Sequence, residues 1–146
     1  LVAALKEVQS LRSLPPEQQL SRLASLVYIS TNSGTIKRSD QFSDKYNGRN
    51  VLLGKSVEEN AAVCRHRSLI FKILADEIGL QASLVRGGAD TGEIIGNHAW
   101  NEVRLPGGKL IVVDVTYVKT SKLYHDAKGP LPVKYYDARY NPLYTN

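Results

Sequence analysis

Apolar positions in the first part of the chain recur at helical spacing. Leu1, Leu5, Val8 and Leu11 fall close to one stripe, which predicts a short amphipathic helix within residues 1–13. Pro15-Pro16 interrupts it. Leu20, Leu23, Ala24 and Val27 then mark one face of a second helix, with Pro16 in its first turn. Thr31-Asn32-Ser33-Gly34 gathers weak helix formers, so the second helix should fade there. Residues 34–56 are polar and carry Gly34, Gly48 and Gly54. They read as a long connection with little regular structure.

The strongest helical pattern follows. Ser56 and Glu59 have the spacing of a capping box, and Cys64, Ser68, Phe71, Leu74 and Ala75 lie near one stripe that runs to Ile78. Gly79 is the stop. Beyond it Gln81–Arg86 reads as a strand and Gly87-Gly88 to Gly96 as a loop. Two further strands, His98–Leu105 and Lys109–Thr116, flank the hairpin signal Pro106-Gly107-Gly108. The tail from Tyr117 holds Tyr117, Tyr124, Tyr135, Tyr136, Tyr140 and Tyr144 among Pro130, Pro132 and Pro142. It is expected to be irregular, with the rings packed on the sheet and their hydroxyls in water. Helices followed by antiparallel strands predict an α+β fold with the Cys64 helix packed on the sheet. A single domain over residues 1–146, with its core at 57–117, accommodates all of these elements.

Composition narrows the function classes. No run approaches the roughly 18 apolar residues of a membrane span, and Lys6 and Glu7 follow Leu1–Leu5 too closely for a secretory signal. The absence of methionine suggests a domain trimmed from a longer chain, whose flanking domains would carry further partners. The net charge of +5 is spread along the sequence, and its densest group is Arg65-His66-Arg67 beside Cys64. Without a nucleic-acid motif, this charge gives no reason to expect specific nucleic-acid binding. A single cysteine excludes an internal disulfide and any multi-cysteine zinc site, and the three histidines have no ligand spacing, so no metal or cofactor is expected. A free thiol suits a reducing, cytoplasmic compartment, which includes that of a translocated effector or toxin domain. Taken alone, a lone cysteine is more often a buried inert one.

A nucleophilic thiol needs a base within reach and a group that orients the base. A helix beginning near Asn60 to Val63 would place Cys64 in its first turn, where the macrodipole favours a thiolate, so a break is expected there. Arg65 and Arg67 add positive charge nearby. The base is assigned by hairpin arithmetic. With a three-residue loop at 106–108, Leu105 pairs with Lys109 and paired positions sum to 214. His98 and Asp114 then share a face as diagonal neighbours, whereas a two-residue turn would put them on opposite faces. Asp114 also interrupts the apolar run Leu110–Val115, where an unpaired carboxylate is costly. His66 lies about 200° around the helix from Cys64 and cannot serve as its base. His125, beside Asp126 in the tail, is the alternative base.

The segments His98-Ala99-Trp100-Asn101-Glu102-Val103, Pro106-Gly107-Gly108 and Val113-Asp114-Val115-Thr116 resemble the His and Asp blocks of the transglutaminase-like, papain-related superfamily. The stretch from Cys64-Arg65-His66-Arg67 to Gly79 is similar to the nucleophile helix of that superfamily, especially in the enhanced-disease-resistance domain of plant Raf-like kinases and bacterial relatives. The resemblance covers residues 60–117 and differs in having Ala62-Val63 where Gly-Val or Gly-Tyr is usual. It implies Cys64 as nucleophile, His98 as general base and acid, and Asp114 as orienting carboxylate. It further implies a thioester intermediate formed from a protein or peptide amide, with the Cys64 backbone amide as one oxyanion donor. Asn60, Gln41 and Tyr46 are candidates for a second donor. Trp100 would shield the substrate site or serve as a plain core residue. Peptidase, glutamine deamidase and transglutaminase share this set of residues. A catalytically silent binding or regulatory module on the same fold is the alternative, and the intact Cys, His and Asp weigh against it.

Overall fold

The computed structural model describes residues 2–46, 53–92, 95–116 and 122–145, with the side chains of 32–46 and 53–62 outside that description. Helix α1 (Val2–Val8) passes into a single 3-10 turn, Gln9–Leu11. Helix α2 spans Pro16–Tyr46 and α3 spans Leu53–Glu77. Five strands follow: β1 (Ala82–Asp90), β2 (Ile95–Arg104), β3 (Leu110–Val113), β4 (Tyr124–Asp126) and β5 (Lys134–Tyr136). They form one antiparallel sheet in the order β4-β3-β2-β1-β5. The fold class is α+β, as the element order predicts.

The apolar stripes do what their spacing requires. Val8, Leu20, Leu23 and Val27 meet Phe71, Leu74 and Ala75 of α3, and all pack on Val103, Ile111 and Val113 of the sheet. The opposite face of the sheet carries a second cluster in which Trp100 and Val112 meet Ala89, Ala127, Val133 and Tyr135. Strand β2 is therefore covered on both faces. Ala99, Asn101 and Val103 point toward the helices, and His98 and Trp100 toward the tail.

The β2–β3 hairpin has the register the sequence implies. Asn101 pairs with Val113 and Arg104 with Leu110, so partners sum to 214. Leu105 N–H donates to Lys109 O (2.9 Å) and Gly108 N–H to Leu105 O (3.0 Å), closing a three-residue turn. Gly107 (φ 95°) and Gly108 (φ 93°) both occupy backbone regions that L side chains rarely adopt, which explains the Gly pair. At the end of α3, Leu80 N–H returns to Ala75 O and Gly79 N–H to Asp76 O, the paired bonds of a Schellman cap.

Four expectations need correction. Helix α2 does not fade at Thr31–Gly34 but continues to Tyr46, so most of the expected irregular connection is helical. Propensity differences of about 1 kcal/mol or less per residue do not end a helix already anchored by packing, and Thr31 Oγ1 turns back onto Val27 O (2.6 Å) within it. Helix α3 starts at Leu53 and has no break near Asn60, which places Ser56 inside the helix rather than at its cap. Strand β1 runs through Gly87-Gly88 to Asp90. At Gly87 a Cβ would lie 2.0 Å from the Tyr136 carbonyl oxygen and 3.1 Å from the Trp100 ring, so this glycine permits close approach of the tail rather than marking a loop. The tail is also not wholly irregular, since β4 and β5 form the two edges of the sheet. Strands of three residues are too short to show a periodicity.

Candidate active site

The site forms where β3 stops short of β2. Leu105 N–H faces β3, and alternation along β2 points the amides of Val103, Asn101 and Ala99 the same way. The β2–β3 ladder ends at the Asn101–Val113 pair, so β3 offers Ala99 no partner. Cys64 of α3 takes that place: Ala99 N–H donates to Cys64 Sγ at 3.3 Å. The thiol is 1% exposed.

Past Val113 the chain turns and brings Asp114 beneath β2. His98 Nε2 lies 2.7 Å from Asp114 Oδ2, and both side chains are buried. A carboxylate only accepts, so Nε2 carries the proton of this bond. The Cys64 side chain, held by the neighbouring Ala99 N–H, acts on His98 electrostatically. Burial alone would lower the pKa of His98. The charge and hydrogen bond of Asp114, together with Cys64, outweigh burial and push it up to about 9. These partners favour the protonated ring.

Asp114 has further donors. Tyr135 O–H donates to Oδ2 at 2.7 Å, and Thr116 N–H to Oδ1 at 3.2 Å. Arg67 lies buried nearby and donates from Nη1 to Val115 O (3.3 Å). Burial lowers its pKa, while the charges of Tyr28, Asp114 and Cys64 act to raise it. The His98 ring stacks on Trp100 (centroids 5.7 Å) and on Tyr135 (6.3 Å), which fixes its plane. Trp100 in turn donates from Nε1 to Tyr144 Oη (2.9 Å), and Tyr144 donates to Glu102 Oε2. Burial and Glu102 raise the pKa of that phenol.

Helix α3 is bolted to the sheet one turn beyond the thiol. Ser68 Oγ–H bonds to Cys64 O (2.8 Å), and Asn101 Nδ2 donates to Ser68 O (2.9 Å) and Ser83 O (3.3 Å). These bonds hold Cys64 at a fixed height over β2.

Of the residues expected from the sequence, Cys64, His98 and Asp114 come together. Trp100 is fully buried and packs against the His98 ring rather than facing solvent. Asn60 falls on α3, and Gln41 and Tyr46 fall on α2, with their side chains outside the described ones. His125 sits on edge strand β4 opposite Val112. The long α3 overturns one expectation. Cys64 lies about three turns from the helix start, where the macrodipole has faded and the backbone N–H belongs to the helical ladder rather than to an oxyanion. Sequence reasoning missed Tyr135 and Asn101, and singled out Arg67 only for its charge beside Cys64. A signal existed for Asn101, a polar residue between Ala99 and Val103 on an inward-facing alternation. Tyr135 had none, because its position depends on how the tail returns to β1.

The model of the EDR1/CTR1/ARMC3 peptidase-like family matches residues 3–118. The chain belongs to this family. The match takes in the helices and β1 to β3, and so covers Cys64, His98 and Asp114; β4, β5 and the tyrosines from Tyr124 onward lie beyond it. No curated protein and no solved structure matches the chain. Among the described residues of this peptidase-like domain, no group of three or more His, Cys, Asp or Glu could hold a metal ion, and no helix is long and apolar enough to cross a membrane.

Proposed function

We propose that the domain is a cysteine-dependent acyl-transfer enzyme acting on protein or peptide amides, with hydrolysis as its main reaction. The observation that carries this reading is the His98 imidazole bonded to the Asp114 carboxylate, next to Ala99, whose N–H bonds the Cys64 sulfur. With the thiol proton held on His98, the Cys64 thiolate attacks the amide carbonyl carbon, and the C=O electron pair moves onto oxygen. As the tetrahedral adduct collapses, His98 passes its proton to the departing nitrogen, the C–N bond breaks and a thioester remains. Water then attacks the thioester and gives its proton to His98, and the sulfur leaves. An amine in place of water would give transamidation by the same steps. Asp114 keeps the Nε2 proton in place and stabilises the imidazolium throughout. The peptidase-like family supports the same reaction class.

A second reading has its own observation. The thiol is almost wholly covered and the Cys64 amide sits inside a helix, which suits a catalytically silent binding or regulatory module. An activated acyl ester separates the two. Under the enzyme reading, intact-mass spectrometry finds an acyl adduct on Cys64 that turns over, is absent in Cys64→Ala and is slowed at least about 100-fold in His98→Ala. No adduct on the parent chain, or equal labelling of the parent and His98→Ala, would favour the silent module.

A further inference from the structure

A pocket of about 250 Å³ opens beside His98, with Arg65, Arg86, Asn97 and Tyr140 in its walls and Gly87 lining it without a side chain. Arg65 follows Cys64 directly on α3. Arg86 precedes Gly87, which pairs with His98 across the β1–β2 ladder. Arg65 and Arg86 thus reach, from a helix and a strand, an opening that the proposed base also lines. Among the described residues neither forms an ion pair. Among the described residues the ion pairs are Arg12–Glu77, Lys72–Asp76, His98–Asp114 and Lys109–Asp126, and no acidic side chain lines the pocket. The volume lies below the 300–1,000 Å³ typical of drug-sized ligand sites, and suits one amino-acid side chain or a chain terminus. Guanidinium forks match carboxylates with paired hydrogen bonds, and the Asn97 amide adds neutral polar groups to the same wall.

We propose that this pocket is a specificity subsite for a carboxylate on the substrate residue next to the reacting amide. Peptides that carry a carboxylate at that residue are therefore the preferred substrates. The inference rests on the acyl-transfer reading, because only a reacting Cys64 makes the pocket a subsite. The carboxylate comes either from an Asp or Glu side chain or from a peptide C-terminus.

The test is an NMR titration of the ¹⁵N-labelled Cys64→Ala chain, in which binding is read without turnover. The probes are N-acetyl-glutamyl amide, its neutral isostere N-acetyl-glutaminyl amide, and N-acetyl-glutamine with a free C-terminus. One of the anionic probes should shift the Arg65, Arg86 and Asn97 amides and bind at least about fivefold tighter than the neutral one. Which of the two does so identifies the source of the carboxylate. The preference should shrink with added salt and vanish in Arg65→Gln/Arg86→Gln, whose spectrum elsewhere stays that of the parent. Equal affinity for charged and neutral probes overturns the subsite, as does a preference that survives loss of both arginines. The two readings fail separately. A reactive Cys64 without charge preference removes the subsite and leaves the enzyme. A charge preference in a chain whose Cys64 never acylates supports an anion-binding pocket and removes the enzyme.

Discussion

Tyr135 and His98 share one oxygen of Asp114, each lying 2.7 Å from Oδ2. Tyr135 belongs to β5, an edge strand near the end of the chain, whereas His98 and Asp114 come from the adjoining segments of β2 and β3. The tail is therefore part of the site and not an appendage to it. Tyr135→Phe keeps the ring and removes the donor. Equilibrium urea unfolding should show a loss of about 1–2 kcal/mol. Oδ2 of the carboxylate then serves His98 alone, so the NMR titration of His98 should move upward. An unchanged midpoint and an unchanged titration would detach Tyr135 from the site.

The raised His98 pKa has a stability consequence with a definite sign. In the folded chain His98 titrates near 9, against 6.5 when unfolded, so the native state binds more protons between those values. The contribution is complete below about pH 6.5 and is lost as pH rises through about 9. Its size is at most about 3 kcal/mol. Urea unfolding between pH 6 and 10 should show this decline in the parent and a flatter profile in His98→Gln. Parallel profiles would mean that His98 is not paired in the folded chain.

Gly87→Ala tests the close packing of the tail. A methyl group there collides with the Tyr136 carbonyl and presses on Trp100. The strand must move or β5 must release, at a cost of more than about 2 kcal/mol. Trp100 is the single tryptophan and bonds Tyr144, so its emission should shift red as the tail lifts. Unchanged stability and emission would mean the tail does not pack as described.

Asn101→Ala removes the bolt between β2 and α3. It removes the side-chain bonds to Ser68 O and Ser83 O and should destabilise the fold by about 1–3 kcal/mol. Because Ser68 also bonds Cys64 O, Cys64 acylation should slow more than unfolding alone explains, measured where the variant remains folded.

What was legible in the sequence follows the range of the interactions. The hairpin register rested on three adjacent residues, Pro106-Gly107-Gly108, and it sufficed to place His98 against Asp114. The apolar stripe from Phe71 to Ile78 and the Gly79 stop are equally local. The missed features depend on distant partners. Thr31–Gly34 has poor propensity, yet the helix passes through it, and nothing within a few residues of Tyr135 announces a bond to Asp114. Gly87 looked like a loop residue because the carbonyl that needs its missing Cβ lies 49 positions away, at Tyr136. The same limit applied to Arg65 and Arg86, which are ordinary surface cations until the fold brings them to one pocket.

The most direct test of the central claim is the pH dependence of Cys64 alkylation by iodoacetamide, in the parent and in His98→Ala, read by peptide mass spectrometry. If His98 and Cys64 form an ion pair, the parent alkylates at a rate nearly constant through neutral pH. His98→Ala then becomes slower below pH 8 and climbs with pH in the manner of a free thiol. A parent whose Cys64 stays inert throughout, or whose profile matches that of His98→Ala, would contradict the account and leave the domain as a binding module on a peptidase-like fold.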